Sequence, residues 1–236
     1  TEHIRPMMQD NCILCHSENG VAPFSLETYE AVERKAGTIL EVIGSGYMPP
    51  WMPDPNYTHF KNERTLPNEH IELFKRWVRN GKKRGKEQRN VVEKLPAMDQ
   101  FREDLRVQLS EVRVDTNITD LYRFFIVPYS GAADKIIKAI RFNPGNLKVV
   151  HHAWVLSDTV GFSLSGVRTD VESEFSELGF PFTDILTAYL PGSEHIVFNS
   201  GTGKMLYGGS NLVVQIHYYS PQGKFQDSSS ISIQFT

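Results

Sequence analysis

Apolar residues along this chain follow two different periods. Up to about residue 80 they recur at helical intervals, and from about residue 100 they fall into short β-rich runs. Residues 2–11 read as a helix leading into Cys12. From Ser25, a predicted N-cap, the positions Leu26, Tyr29, Val32, Ile39, Leu40 and Ile43 keep roughly helical spacing until Gly44 and Gly46 end it. A third helix is predicted from Pro67 or Asn68 to Asn80, with Ile71, Phe74, Trp77 and Val78 at helical intervals and Gly81 as its stop. Between these two helices lies Gly46-Tyr47-Met48-Pro49-Pro50-Trp51-Met52-Pro53. Its prolines forbid regular structure but hold a fixed extended path.

Beyond residue 100 the runs 106–114, 121–129, 135–142, 147–156, 195–199, 211–219 and 230–235 read as strands. Asn143-Pro144-Gly145-Asn146 and Ser220-Pro221-Gln222-Gly223 mark turns. Many short strands broken by turns predict a β-sandwich or jelly roll. Residues 82–98 crowd Lys82, Lys83, Arg84, Lys86 and Arg89 together with few apolar side chains. They read as a solvated connector, the other reading being a docking strip for an acidic partner. The expected fold is therefore multidomain: an all-α domain over 1–81, a linker over 82–98, and an all-β sandwich, jelly-roll-like, over 99–236.

The bulk properties narrow the function classes. The 236 residues suffice for one or two cores, and 40% hydrophobic with 22% charged residues is ordinary for a globular protein. A net charge of −3 lacks the basic excess that nucleic-acid binding needs. No apolar run approaches the roughly 18 residues of a membrane span. The sequence starts at Thr1 without a signal peptide and reads as a processed or trimmed chain.

The only two cysteines form Cys12-Ile13-Leu14-Cys15-His16, the pattern of c-type haem attachment. Two thiols at this spacing add to the two haem vinyl groups, and the histidine that follows meets the iron as proximal ligand. A structural zinc site would need two further ligands, but His59 and His70 are too far apart for finger-like spacing. A redox dithiol or structural disulfide would not call for His16. Given a haem, the Met48-Pro49-Pro50 segment supplies a distal thioether, with Met48 ahead of Met52 as the ligand. Met7 and Met8 are expected to pack in the first helix. His/Met ligation raises the reduction potential. Haem attachment of this type takes place outside the cytoplasm, so a periplasmic or secreted location is expected.

Two histidine features stand in the β-rich part: Val149-Val150-His151-His152-Ala153-Trp154 and Val213-Val214-Gln215-Ile216-His217-Tyr218. Adjacent side chains on a regular strand point to opposite faces. His151 and His152 therefore share a metal only at a strand end, a bulge or a bent edge. Gln215 and His217 share a face, with Leu212, Val214 and Ile216 on the other, core-like one. Taken singly, each histidine reads first as an ordinary hydrogen-bonded interior or surface residue. His195 reads as a surface histidine, the other reading being a fourth metal ligand. Gly201-Thr202-Gly203-Lys204 lacks the first glycine of a phosphate loop, since Phe198 stands there.

These motifs carry two resemblances. Cys12-x-x-Cys15-His16, Ala22-Pro23-Phe24-Ser25-Leu26-x-Thr28-Tyr29, Met48-Pro49-Pro50-Trp51 and Leu66 through Gly81 resemble a class I cytochrome c domain. They look like the segment that some bacterial proteins place before a copper-monooxygenase domain. Residues 100–236 resemble the first half of the type II copper, ascorbate-dependent monooxygenases, the peptidylglycine alpha-hydroxylating and dopamine beta-monooxygenase family. That resemblance implies that His151, His152 and His217 bind one copper that relays electrons to a second, oxygen-activating copper. Three imidazoles suit copper, and Gln215 is positioned to orient a ligand or water. The chain departs from the family in having no His-x-His, and no cysteine remains beyond the haem motif. The oxygen-activating half is expected to lie outside these residues.

The expected function is a haem–copper redox protein, with haem c delivering electrons to a three-histidine copper centre. A redox partner protein is expected, and a small-molecule substrate if the chain serves a copper monooxygenase. The alternative is an electron-transfer or copper-binding protein with no oxygenase activity.

Overall fold

The structure, a computed structural model, describes residues 3–18, 20–54, 56–60, 63–85, 101–115, 120–159, 184–193, 195–219 and 223–236. The chain divides into two units, Thr1–Glu93 and Lys94–Thr236. Most of the predicted linker, 86–98, and residues 220–222 of the second predicted turn lie outside the described residues.

In the first unit α1 spans Ile4–Met8 and runs on into a π-helical turn, Gln9–Ile13, that contains Cys12. Helix α2 spans Tyr29–Gly44 and α3 spans Asn68–Arg79. The N-cap of α2 is Thr28, whose side chain accepts the Ala31 N–H at 3.2 Å. Ser25, the predicted cap, instead bonds to Glu27. One turn less helix results, because a threonine hydroxyl three residues on satisfies the first free N–H equally well. Val32, Ala36, Ile39 and Ile43 line the buried stripe of α2 and pack with Ile4, Met7, Met8, Leu26 and Phe74.

The expected all-α cytochrome c domain over 1–81 is not what forms. Among the described residues the chain is mostly β-sheet, and the α-helices are three short ones. The reason lies in the proline positions. Pro23, Pro49, Pro50, Pro53 and Pro67 interrupt the stretches between α1, α2 and α3, where helix would otherwise propagate. The rest of the described first unit is turns, bends and extended chain.

The second unit is built of strands. In chain order they are β1 (Leu105–Gln108), β2 (Val112–Val114), β3 (Asp120–Pro128), β4 (Lys135–Asn143), β5 (Val150–Asp158), β6 (Asp184–Tyr189), β7 (Ile196–Val197), β8 (Lys204–Leu206), β9 (Asn211–Tyr219), β10 (Phe225–Asp227) and β11 (Ser230–Phe235). One sheet has the order β1-β11-β4-β7, with β8 also paired to β4. The other has the order β3-β9-β5-β6, and β10 pairs β2 in a ribbon. All described pairings are antiparallel.

One core joins the two sheets. Ile137, Ile140, Phe142, Ile231 and Ile233 of the first meet Val155, Leu212, Val214, Ile216 and Tyr218 of the second. Alternation along β9 sends these last four inward, as the sequence pattern predicts. The predicted run 106–114 breaks into β1 and β2, and β6, β8 and β10 carry too few residues in pattern to be visible beforehand.

Ile216 is fully buried at the centre of β9. Replacing it by alanine is expected to destabilise the second unit by about 2–5 kcal/mol. Urea unfolding followed by tryptophan fluorescence and circular dichroism reads the loss, and an unchanged midpoint would show that β9 is not central to the core.

Candidate functional site

β9 lies between β3 and β5, so its outward face is flanked on both sides. Across it runs the row Tyr122–His217–His152, and next to that the row Phe124–Gln215–Trp154. The β5–β9 register steps from Val150↔Tyr218 to His152↔His217, leaving His151 as an extra residue in a bulge. A bulge is one of the few arrangements that let two consecutive side chains converge. Here it does so at the first turn of β5, and His151, His152 and His217 come together.

The three side chains offer ligand nitrogens that all lie within 4.8 Å of one another. His151 Nδ1 is 3.0 Å from His152 Nδ1, and His217 Nδ1 is 3.4 Å from it. Nitrogens bound to one tetrahedral metal at about 2.0 Å stand about 3.3 Å apart, so these separations match a shared ion. His217 is buried, His152 half-buried and His151 exposed, which leaves one side of the cluster open. Tyr122 stacks flat on His217, with centroids 4.3 Å apart and planes at 6°. Burial first, and then the neighbouring His217 and His151, push the pKa of His152 down to about 4. A neutral imidazole is the form that binds metal. The cluster can therefore hold a metal ion, and it is the one such group among the described residues.

Gln215 is 1% exposed on the same face, and its Nε2 has no hydrogen-bond partner among the described residues. His195 stands away from the cluster, against the Phe101 ring at 5.7 Å. Tyr122 is the neighbour that sequence reasoning missed. Nothing in Leu121-Tyr122-Arg123 shows which histidine a paired strand will bring beside it.

The Cys12–His16 segment closes on itself. Cys15 and His16 both donate their N–H to Cys12 O, at 3.2 and 2.9 Å. His16 Nδ1 lies 3.0 Å from Phe24 O, an arrangement that fixes the ring and leaves Nε2 free of that contact. Both thiols are free, and Cys12 Sγ lies 3.8 Å from Met8 Sδ. Burial, reinforced by Cys15, pushes the Cys12 pKa up to about 11. Gly20 lets the chain fold under this loop, since a Cβ there would sit 2.1 Å from Cys15 O. Met7 and Met8 are buried in the helical core, as expected. Met48 is half-buried just beyond α2, its N–H donating to Val42 O at 3.0 Å, whereas Met52 is 95% exposed. Trp51 Nε1 is buried with no acceptor among the described residues.

No family model matches this chain, and no curated protein matches it either.

The depressed His152 pKa sets a direction for stability. An unfolded histidine takes up its proton near 6.5, the folded one near 4, so between these values the unfolded chain binds more protons. Stability of the metal-free second unit is expected to fall as pH drops through that window and to be unaffected by this group above it. His152→Gln should flatten the decline, read as urea midpoints from neutrality to about pH 5.

Proposed function

We propose that this chain is a haem–copper redox protein. The observation that carries the reading is the convergence of His151, His152 and His217 at a strand bulge, on the same chain as a Cys-x-x-Cys-His motif. His151, His152 and His217 would hold copper, because neutral imidazoles suit it and it outranks other divalent first-row metals at nitrogen sites. Cys12 and Cys15 would carry haem c, with His16 as proximal and Met48 as distal ligand. Bound in these places, the haem and the copper would each supply a one-electron centre.

Several features of the residues support this. The two thiols are free and one turn apart, and His16 has one nitrogen engaged by Phe24 O and the other left for iron. Trp51 Nε1 is a buried donor that would suit a haem carboxylate. Partial burial favours Met48 over Met52 as the thioether. At the other site, Tyr122 fixes the plane of His217 and burial keeps His152 unprotonated, ready to bind metal. The open side by His151 admits a further ligand. Haem attachment of this kind implies export, and no helix among the described residues is long and apolar enough to cross a membrane. We place the protein in the periplasm or outside the cell, exchanging electrons with a redox partner protein.

By the resemblance to the copper monooxygenases, this copper would be the relay copper of such an enzyme, which would hydroxylate a small molecule at a second copper outside these residues. A relay without oxygenase activity is the second reading. In metal analysis, one copper per haem supports the relay in both readings, and two favour the oxygenase.

Met48→Ala is expected to remove the weak red-edge absorption band of ferric iron bound to methionine and to lower the haem potential. Survival of the band in this variant, with its loss in Met52→Ala, would reassign the ligand.

His217→Ala is expected to abolish copper binding and leave haem content unchanged. Mixing reduced protein with Cu(II) should oxidise the haem quickly in the parent and much more slowly in the variant. A parent affinity no better than about micromolar, about −8 kcal/mol, would make the three histidines structural.

A further inference from the structure

Asn143-Pro144-Gly145-Asn146 is a turn by its sequence, and Asp227 has no part in the metal-binding reading. The structure ties the two together. Asp227 is 2% exposed at the end of β10. Its Oδ1 accepts the Asn146 N–H at 2.8 Å, and its Oδ2 accepts the hydroxyls of Tyr218 and Ser229, each at 2.8 Å. Asn146 in turn organises the start of β5. Its carbonyl accepts the N–H groups of Val149 and Val150 at 3.2 and 3.1 Å, and its side chain accepts that of Lys148 at 3.1 Å.

These contacts bracket the metal cluster. Tyr218 follows His217, and its cross-strand partner Val150 precedes His151. The Tyr219 N–H donates to Val149 O at 2.8 Å. One buried carboxylate thus ties β9 to the turn that leads into β5, next to the pair that opens the bulge. The turn sits tightly on the β10–β11 segment: the Gly145 N–H donates to Ser229 Oγ at 3.2 Å, and a Cβ on Gly145 would lie 2.6 Å from Ser228 backbone.

The alternative register shows what this grip achieves. A regular ladder running back from His152↔His217 would pair His151 with Tyr218, turn His151 toward the core and part Val150 from Tyr218. A bulge leaves a residue out of the ladder, so something outside the ladder must favour it. A buried carboxylate accepting three hydrogen bonds does, because each lost bond would strand a buried polar group.

We propose that Asp227 is a positioning residue of the three-histidine metal site, holding the bulge that sets His151 beside His152 and His217. The inference rests on the metal-binding reading above. Asp227→Asn keeps the shape but replaces one accepting oxygen with a donor, so it cannot serve Asn146 and the two hydroxyls together. Tyr218→Phe removes the β9 link alone. Ile233→Val, in the core of the other sheet, serves as a control for simple loss of stability.

The experiment is Cu(II) titration of the full chain, with electron paramagnetic resonance of the bound ion. Asp227→Asn is expected to weaken Cu(II) binding by about tenfold or more and to change the copper hyperfine coupling. Tyr218→Phe should shift both in the same direction by less, and Ile233→Val should leave both at the parent values. If Asp227→Asn fails to fold, Tyr218→Phe decides. Parent affinity and spectrum in folded Asp227→Asn or Tyr218→Phe would overturn the inference while leaving the metal site standing. So would an equal change in the control. A parent that binds no Cu(II) would overturn the metal reading itself, and this inference with it.

Discussion

Strand β9 has to hide two unlike faces at once. Leu212, Val214, Ile216 and Tyr218 fill the space between the sheets, while Val213, Gln215 and His217 are buried on the opposite side. A slip of one residue would exchange the two sets, driving an amide and an imidazole into the apolar core. Burying such groups without partners costs several kcal/mol, so the register of β9 is strongly specified. β3 and β5 pair with β9 along its length, and their registers follow from it. The metal-binding cluster inherits its geometry from that chain of constraints.

Within this frame, one irregularity produces the chemistry. A perfect antiparallel ladder separates consecutive histidines to opposite faces. The bulge after Val150 removes that separation and sets His151 and His152 against His217. Three imidazoles with one exposed edge form a site that can accept an ion and leave room for another ligand. Tyr122, stacked on His217, limits how far the ring can turn. The cluster is thus preorganised by packing on its buried side and accessible on its exposed side.

The first unit relies on a different principle. Its core is small, gathered from α1, α2, α3 and Leu26. Proline-rich segments take up much of what helices would otherwise occupy. The Cys12–His16 loop is nonetheless tightly ordered by local backbone bonds and by His16 against Phe24. Covalent attachment of a large apolar group beside so small a core would add the buried surface that the helices do not provide.

Local pattern by itself determined the strands with strong alternation. The predicted runs 121–129, 135–142, 211–219 and 230–235 lie within a residue or so of β3, β4, β9 and β11, because a half-buried strand writes its period into its residues. It also marked Cys12, Cys15, His16 and the three histidines, whose chemistry is uncommon enough to stand out without coordinates. It exaggerated the helical part. Helical spacing in short windows overstates a stretch that its prolines break up. Tertiary structure alone decided which strands neighbour which, that the bulge falls at His151, that Tyr122 covers His217, and that Asp227 joins the Asn146 turn to Tyr218. These depend on register between segments as far apart in the chain as Leu105 and Ile233, and pairing across such distances is set by packing of the whole core rather than by any local run.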